Sequence, residues 1–218
     1  MKVSEGQCGL VYDFLFDDQS WQINRVVVRI GVPQETLRLF PLSPTTPGAI
    51  IPEDRTFMLR TGSSAILSSP PIDTNPPVSR QRRRRLSALK IVIPFLPDEF
   101  AGVPVPMAFT PALVSPGATD PTTQASTEQE ANWDTHLRSM REVIGYRVQA
   151  VDGRAGILKN FIFDDNDFSV RHLIVRVRRF LLKRSVILTP AEVIGIDWEL
   201  LRVNVSIDKR TLRARRSV

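Results

Sequence analysis

Cysteine occurs once in the 218 residues, at Cys8, so no intrachain disulfide can form, and a reducing cytoplasm suits the chain. No run approaches the ~20 apolar residues that span a bilayer, and the first residues lack an apolar signal core. Any membrane contact is therefore expected to be peripheral. Histidine is scarce: His136 and His172 have no partner at metal-ligand spacing. A Gly-rich phosphate loop and a nucleophile elbow are also missing. These absences point away from the common catalytic classes. The expectation is a protein that is not an enzyme, with no cofactor, no metal and no small-molecule substrate.

What the chain does have is positive charge and a repeat. The formal charge is +6 and the pI about 10.1, which favours anionic partners without choosing among them. "FLFDDQSW" at Phe14–Trp21 recurs as "FIFDDNDF" at Phe161–Phe168, 147 positions later. At the same offset Gly6, Gly9, Asp17, Asp18, Val28 and Arg29 meet Gly153, Gly156, Asp164, Asp165, Val175 and Arg176. With one residue removed the match continues, Arg38, Leu42 and Pro44 falling over Arg184, Leu188 and Pro190. Ordered similarity of this length is the mark of a tandem duplication.

Each copy reads as β. Val170–Val177 is rich in β-branched residues, and "DGRAG" (Asp152–Gly156) is a hairpin signal. Asp164–Asp167 reads as a second turn, its short polar side chains bonding their own backbone. Apolar parity shifts inside the following strand, between Phe168/Val170 and Leu173/Val175, and again between Trp21/Ile23 and Val26/Val28. A shared shift predicts a β-bulge or a strand buried on both sides. Thr189–Glu192 and Ser139–Glu142 have the form of capping boxes. Five or six short strands in one unit suggest a small barrel.

These residues resemble a family. Gly145-Tyr146, Asp152-Gly153, Gly156, Asp164-Asp165, Leu173-Ile174-Val175 and Leu188-Thr189-Pro190 look like the signature of the PRC-barrel domain. That is the fold of the cytoplasmic part of the photosynthetic reaction-centre H subunit and of the C-terminal half of a ribosome maturation factor. The resemblance covers Leu137–Ser206 well and Glu5–Leu59 more weakly, and Ser68–Gln81 is similar to the joining segment of bacterial tandem PRC-barrel proteins. It implies a mainly β fold of two small barrels in tandem, with 1–75 a degenerate first domain, 76–136 a Pro-rich linker, 137–210 the second domain and 211–218 a basic tail.

Copy one is the weaker. Met1 aligns with Val148, so the counterpart of "EVIGYR" (Glu142–Arg147) is missing and copy one is expected to lack its first strand, through degeneration or because its start lies upstream. Pro41 stands where copy two has Ile187, which demotes that strand to an edge. "ALKIVIPFL" (residues 88–96) is the strong β run of the middle segment and a candidate to fill the vacancy. Nine of the seventeen prolines lie between 76 and 121, and 115–131 is polar and aperiodic, as an extended linker would be.

Arg80, Arg82, Arg83, Arg84 and Arg85 form the densest charge and are the candidate contact for an anionic partner. No aromatic residue lies among them, so base stacking is not indicated; the alternative is a solvated linker. The repeated pairs Asp17-Asp18 and Asp164-Asp165, with Gly6, Gly9, Gly153 and Gly156, read as hairpin signature rather than as paired catalytic carboxylates. The repeated phenylalanines read as core. The functional expectation is a bacterial cytoplasmic adaptor that docks on a protein partner or pairs with itself, with peripheral contact to an anionic membrane or a membrane complex. Resemblance to the H subunit suggests the cytoplasmic face of a reaction centre. The alternatives are ribosome or RNA association and a self-associating stress-related protein.

Overall fold

The fold is that of a computed structural model, which describes residues 1–3, 6–31, 35–43, 48–51, 56–59, 61–88, 133–179 and 182–215. It is mainly β, with three sheets. In the second copy, strands β9 (Arg147–Ala150), β10 (Gly153–Phe163), β11 (Val170–Arg179), β12 (Leu182–Leu188), β13 (Val193–Asp197) and β14 (Arg202–Val205) form one sheet in the order β12-β11-β10-β9-β14-β13. Among the described residues this ladder is open, ending at β12 and β13.

In the first copy the same pattern is cut in two. One sheet has the order β2-β1-β7-β6, from β1 (Lys2–Val3), β2 (Gly6–Gln7), β6 (Gly48–Ile51) and β7 (Thr56–Leu59). The other is β5-β4-β3-β8, from β3 (Leu10–Asp17), β4 (Ile23–Ile30), β5 (Thr36–Pro41) and β8 (Leu137–Ser139).

One expectation is corrected here. Glu142–Arg147 is not the first strand of copy two: Met140–Val143 is a helical turn and the strand is β9, of which copy one keeps the stub Lys2–Val3. Lys2 pairs with Gln7 and, in parallel, with Met58, as Gln149 pairs with Arg154 and Asn204. Met1 is buried, and its ammonium donates to the Gly9 carbonyl at 2.7 Å. Two residues suffice because the flanking strands supply both sets of backbone partners. Residues 89–96 lie outside the described residues.

The glycines act where expected. Gly6 and Gly153 have φ of 123° and 120° beside their hairpin turns. A Cβ on Gly9 would come within 2.7 Å of the Arg29 carbonyl oxygen, and one on Gly156 within 2.6 Å of that of Arg176. Only glycine lets the strands approach that closely. The parity shift is a bulge in both copies. Asn24 and Arg171 are skipped in the ladder, and Tyr12 and Lys159 are skipped on the facing strand.

The two copies meet face to face about a quasi-two-fold axis. Ile23 N–H donates to the Phe168 carbonyl at 2.9 Å, and Val170 N–H to the Trp21 carbonyl at 2.8 Å. Trp21 and Phe168 both sit in the left-handed region, at φ 59° and 55°. That conformation is uncommon for an aromatic residue, and here each such residue offers its carbonyl across the seam. Phe14 packs on Phe163 (ring centroids 5.4 Å apart) and Phe16 on Phe161 (5.3 Å). Buried residues of both copies form one continuous core, from Phe16 and Val28 to Leu158 and Val175.

The segments flanking the repeats are ordered as well. Within the stretch expected to be a linker, Val78–Ala88 is an α-helix, held by Gln81 donating to the Pro76 and Asp134 carbonyls. Lys209–Ala214 forms a helix that buries Leu212. Arg215 then grips Glu192, whose carboxylate also accepts the Thr189 N–H at 2.8 Å in the expected capping box. Arg215, with the Thr189 bonds, holds the Glu192 carboxyl down at about 2 against its partial burial.

Candidate docking site

Of the repeated aspartates Asp17 and Asp164 shape turns, whereas Asp18, expected in the same role, binds Arg138 and His136 instead. Asp17 accepts the Gln19 and Ser20 amides at 3.0 and 2.6 Å, and Asp164 accepts the Asn166 amide at 3.0 Å. Burial pushes Asp17 up, but the Ser20 and Gln19 bonds outweigh it and leave its pKa below the ordinary value. The bonds from Asn166, then Arg171, hold Asp164 down as well. Among the described residues no group of three or more His, Cys, Asp or Glu is arranged to hold a metal.

The distinctive geometry lies where β8 crosses onto the first copy. Leu137, Arg138 and Ser139 precede the second copy in sequence, yet they pair antiparallel with Asp17, Phe16 and Leu15. The Asp18 amide donates to the His136 carbonyl at 3.1 Å. The Asp18 carboxylate then takes Arg138 Nε at 2.6 Å and His136 Nδ1 at 2.9 Å. At the other end of the arm Asp13 is buried; it accepts the Ser139 hydroxyl and the Arg141 amide, the latter at 3.0 Å. Burial pushes the Asp13 carboxyl up to about 6, against the pull of those two bonds. Ser139 also caps the following turn, Met140–Val143, by accepting the Glu142 amide, as its capping box implies. So a backbone ladder with an acidic clamp at each end fastens an extended arm to a sheet edge.

Next to the arm a cavity of about 460 Å³ straddles the seam between copies. Phe14, Met140, Phe161 and Phe163 line it, with Asp13 and its counterpart Asn160 at the polar positions. The Arg141 guanidinium stacks over the Tyr12 ring, 4.3 Å from its centroid.

The arginine row lies on the helix Val78–Ala88 and is partly spent in contacts with the second copy. Arg82 pairs with Glu199 and lies 5.4 Å from the Trp198 ring centroid. Arg83 stands 3.6 Å from Glu142. Arg80 lines a hollow of about 180 Å³ together with Asp13 and Glu142. Arg84 and Arg85 belong to the helix, and their side chains lie outside the description. Arg82 and Arg83 therefore meet acidic neighbours in the chain itself, exposed pairs that contribute little to stability.

Sequence reasoning missed Asp13 and the arm. The signal for Asp13 was a polar residue inside an apolar strand, repeated as Asn160. The signal for the arm was the alternation of His136, Leu137, Arg138 and Ser139, four residues too short to stand out. Among the described residues no helix is long and apolar enough to cross a membrane. No family model matches this chain, and no curated protein matches it.

Proposed function

We propose that this chain is a non-catalytic adaptor of the tandem PRC-barrel type, which works in the cytoplasm by receiving extended segments of a partner protein on its sheet edges. The observation that carries this reading is the arm. The first copy already holds residues 136–139 by backbone pairing and by the Asp18 and Asp13 clamps, which is how sheet edges capture peptides in trans. The resemblance of Leu137–Ser206 to the reaction-centre H subunit supports a partner that is a protein complex at the membrane face. The pairing of Arg82 and Arg83 with Glu199 and Glu142 weighs against nucleic acid as the main ligand, because the adjacent carboxylates offset the arginine charge and repel phosphate.

The test is co-purification of the full chain under nuclease treatment. A stoichiometric protein complex that survives nuclease is the expected result. An association lost with the nucleic acid, or a substrate turned over by the pure chain, overturns the reading.

A further inference from the structure

We infer that the second copy carries the same strand-receiving edge, and that it takes an extended peptide of a partner protein with a basic residue opposite Phe163 and a large apolar residue two positions beyond. This rests on the adaptor reading and names the surface and ligand class it would use.

Ile162, Phe163, Asp164 and Asp165 stand where copy one has Leu15, Phe16, Asp17 and Asp18. Backbone orientation is the same: Asp164 N–H donates to the Ser169 carbonyl at 2.9 Å, as Asp17 N–H does to Gln22. Phe163 and Asp165 therefore turn toward the edge that Phe16 and Asp18 give to the arm. On that edge β9 pairs only as far as Ile157, and the Leu158 amide and carbonyl bond Tyr146 and Gly145. Among the described residues no strand pairs with Ile162–Asp164 on that side. An edge left this way is a template for another chain.

Three further features say what fits. Asp165 keeps the carboxylate that in copy one receives Arg138 and His136, so a basic side chain belongs opposite Phe163. Leu15 is 0% exposed beneath Leu137, whereas Ile162 is 39% exposed, so an apolar residue belongs before the basic one. An arm running in the same sense would carry its next residues, counterparts of Ser139 and Met140, over Ile162 and Phe161. There the 460 Å³ cavity lies open for an apolar side chain. The ligand pattern is apolar, basic, small, apolar, as in Leu137–Met140.

The test uses the full chain and a labelled synthetic peptide of residues 133–143, which carries this pattern. Expected are saturable binding by fluorescence anisotropy and new hydrogen-exchange protection at Phe163 and Asp165. N-methylation of the peptide at the position of Arg138 should weaken binding roughly tenfold, the loss of one to two backbone bonds. Asp165→Asn should weaken it too, with a smaller salt dependence, while leaving the chain folded because this turn position is exposed to solvent on one side. Absence of binding, indifference to N-methylation, or protection at Phe16 and Asp18 through arm displacement overturns the inference. So does concentration-dependent self-association that protects Phe163, since a second copy would then be the occupant. A nuclease-resistant protein complex together with a peptide that fails to bind sinks this surface alone. Nucleic-acid-dependent association or turnover sinks the adaptor reading itself, whatever the peptide does.

Discussion

The two copies share bulges, close-approach glycines and turn aspartates, yet they treat the same sheet face and edge differently. In copy one Leu15, Val27 and Leu39 lie under Ile72 and Leu137. In copy two the corresponding positions are Ile162, Ile174 and Ser185, with Lys159 where Tyr12 stands and His172 where Arg25 stands. Copy one has the apolar residues of a covered face, and copy two the mixed residues of a half-exposed one. The difference teaches that duplication preserved the strand geometry while burial diverged, because burial depends on what each copy meets and not on its own ladder.

The largest expected effect tests whether the halves are one unit. Phe16 is fully buried at the seam, so Phe16→Ala should cost about 3–5 kcal/mol in urea denaturation. Its counterpart Phe163, only partly buried, should cost less. Because the core is continuous, both variants should unfold in a single transition seen equally by Trp21 and Trp198 fluorescence. Two separate transitions would break the shared-core picture.

Next comes pH. Asp13 has a folded pKa of about 6 against an ordinary 3.8. Its contribution to stability is thus full below about pH 4 and lost as pH rises through about 6, a change of up to about 3 kcal/mol. Asp13→Asn copies what Asn160 already does in the second copy, and it should flatten the stability profile between pH 4 and 7. An unchanged profile would mean that the carboxylate is better solvated than its burial implies. Glu192 has the opposite sign. Its folded value of about 2 lies below the ordinary 4.5, so its stabilisation is present above pH 4.5 and fades toward pH 2; Glu192→Gln should remove that acid limb.

Gly9→Ala and Gly156→Ala sharpen the likeness. Each forces a Cβ against a carbonyl of the facing strand, at Arg29 and Arg176, and each should cost about 1–3 kcal/mol. Thermal melts showing one glycine tolerant would mean that the two close approaches differ in room to give. The smallest effect sharpens the difference. Asp18→Asn should cost about 1–2 kcal/mol by loosening Arg138 and His136, with faster exchange at Leu137–Ser139. Asp165→Asn should leave the stability of the free chain unchanged.

Much of this was legible. The 147-residue offset located both hairpins, the shared parity shift located the bulges at Asn24 and Arg171, and Thr189–Glu192 and Ser139–Glu142 form their caps. Those features are local: a turn needs positive φ or a carboxylate two residues away, and neighbouring residues supply both. The first strand was misread because two residues carry no period, and Lys2–Val3 is held by β2 and β7 rather than by its own propensity. The arginine row showed its charge but not the acids it would meet, since Glu142 and Glu199 lie far along the chain.

From residues alone, then, the duplication, the β character, the glycine approaches and the turn role of Asp17 and Asp164 were already determined, because each rests on backbone sterics or on contacts a few residues apart. Tertiary structure alone decided that the copies fuse through Phe14, Phe16, Phe161 and Phe163. It also decided that Asp13 is buried, and that one edge is filled by residues 136–139 while no strand among the described residues pairs with its twin. Those outcomes depend on which distant surfaces come together, and a pairing across more than a hundred residues leaves no periodicity for a sequence to display.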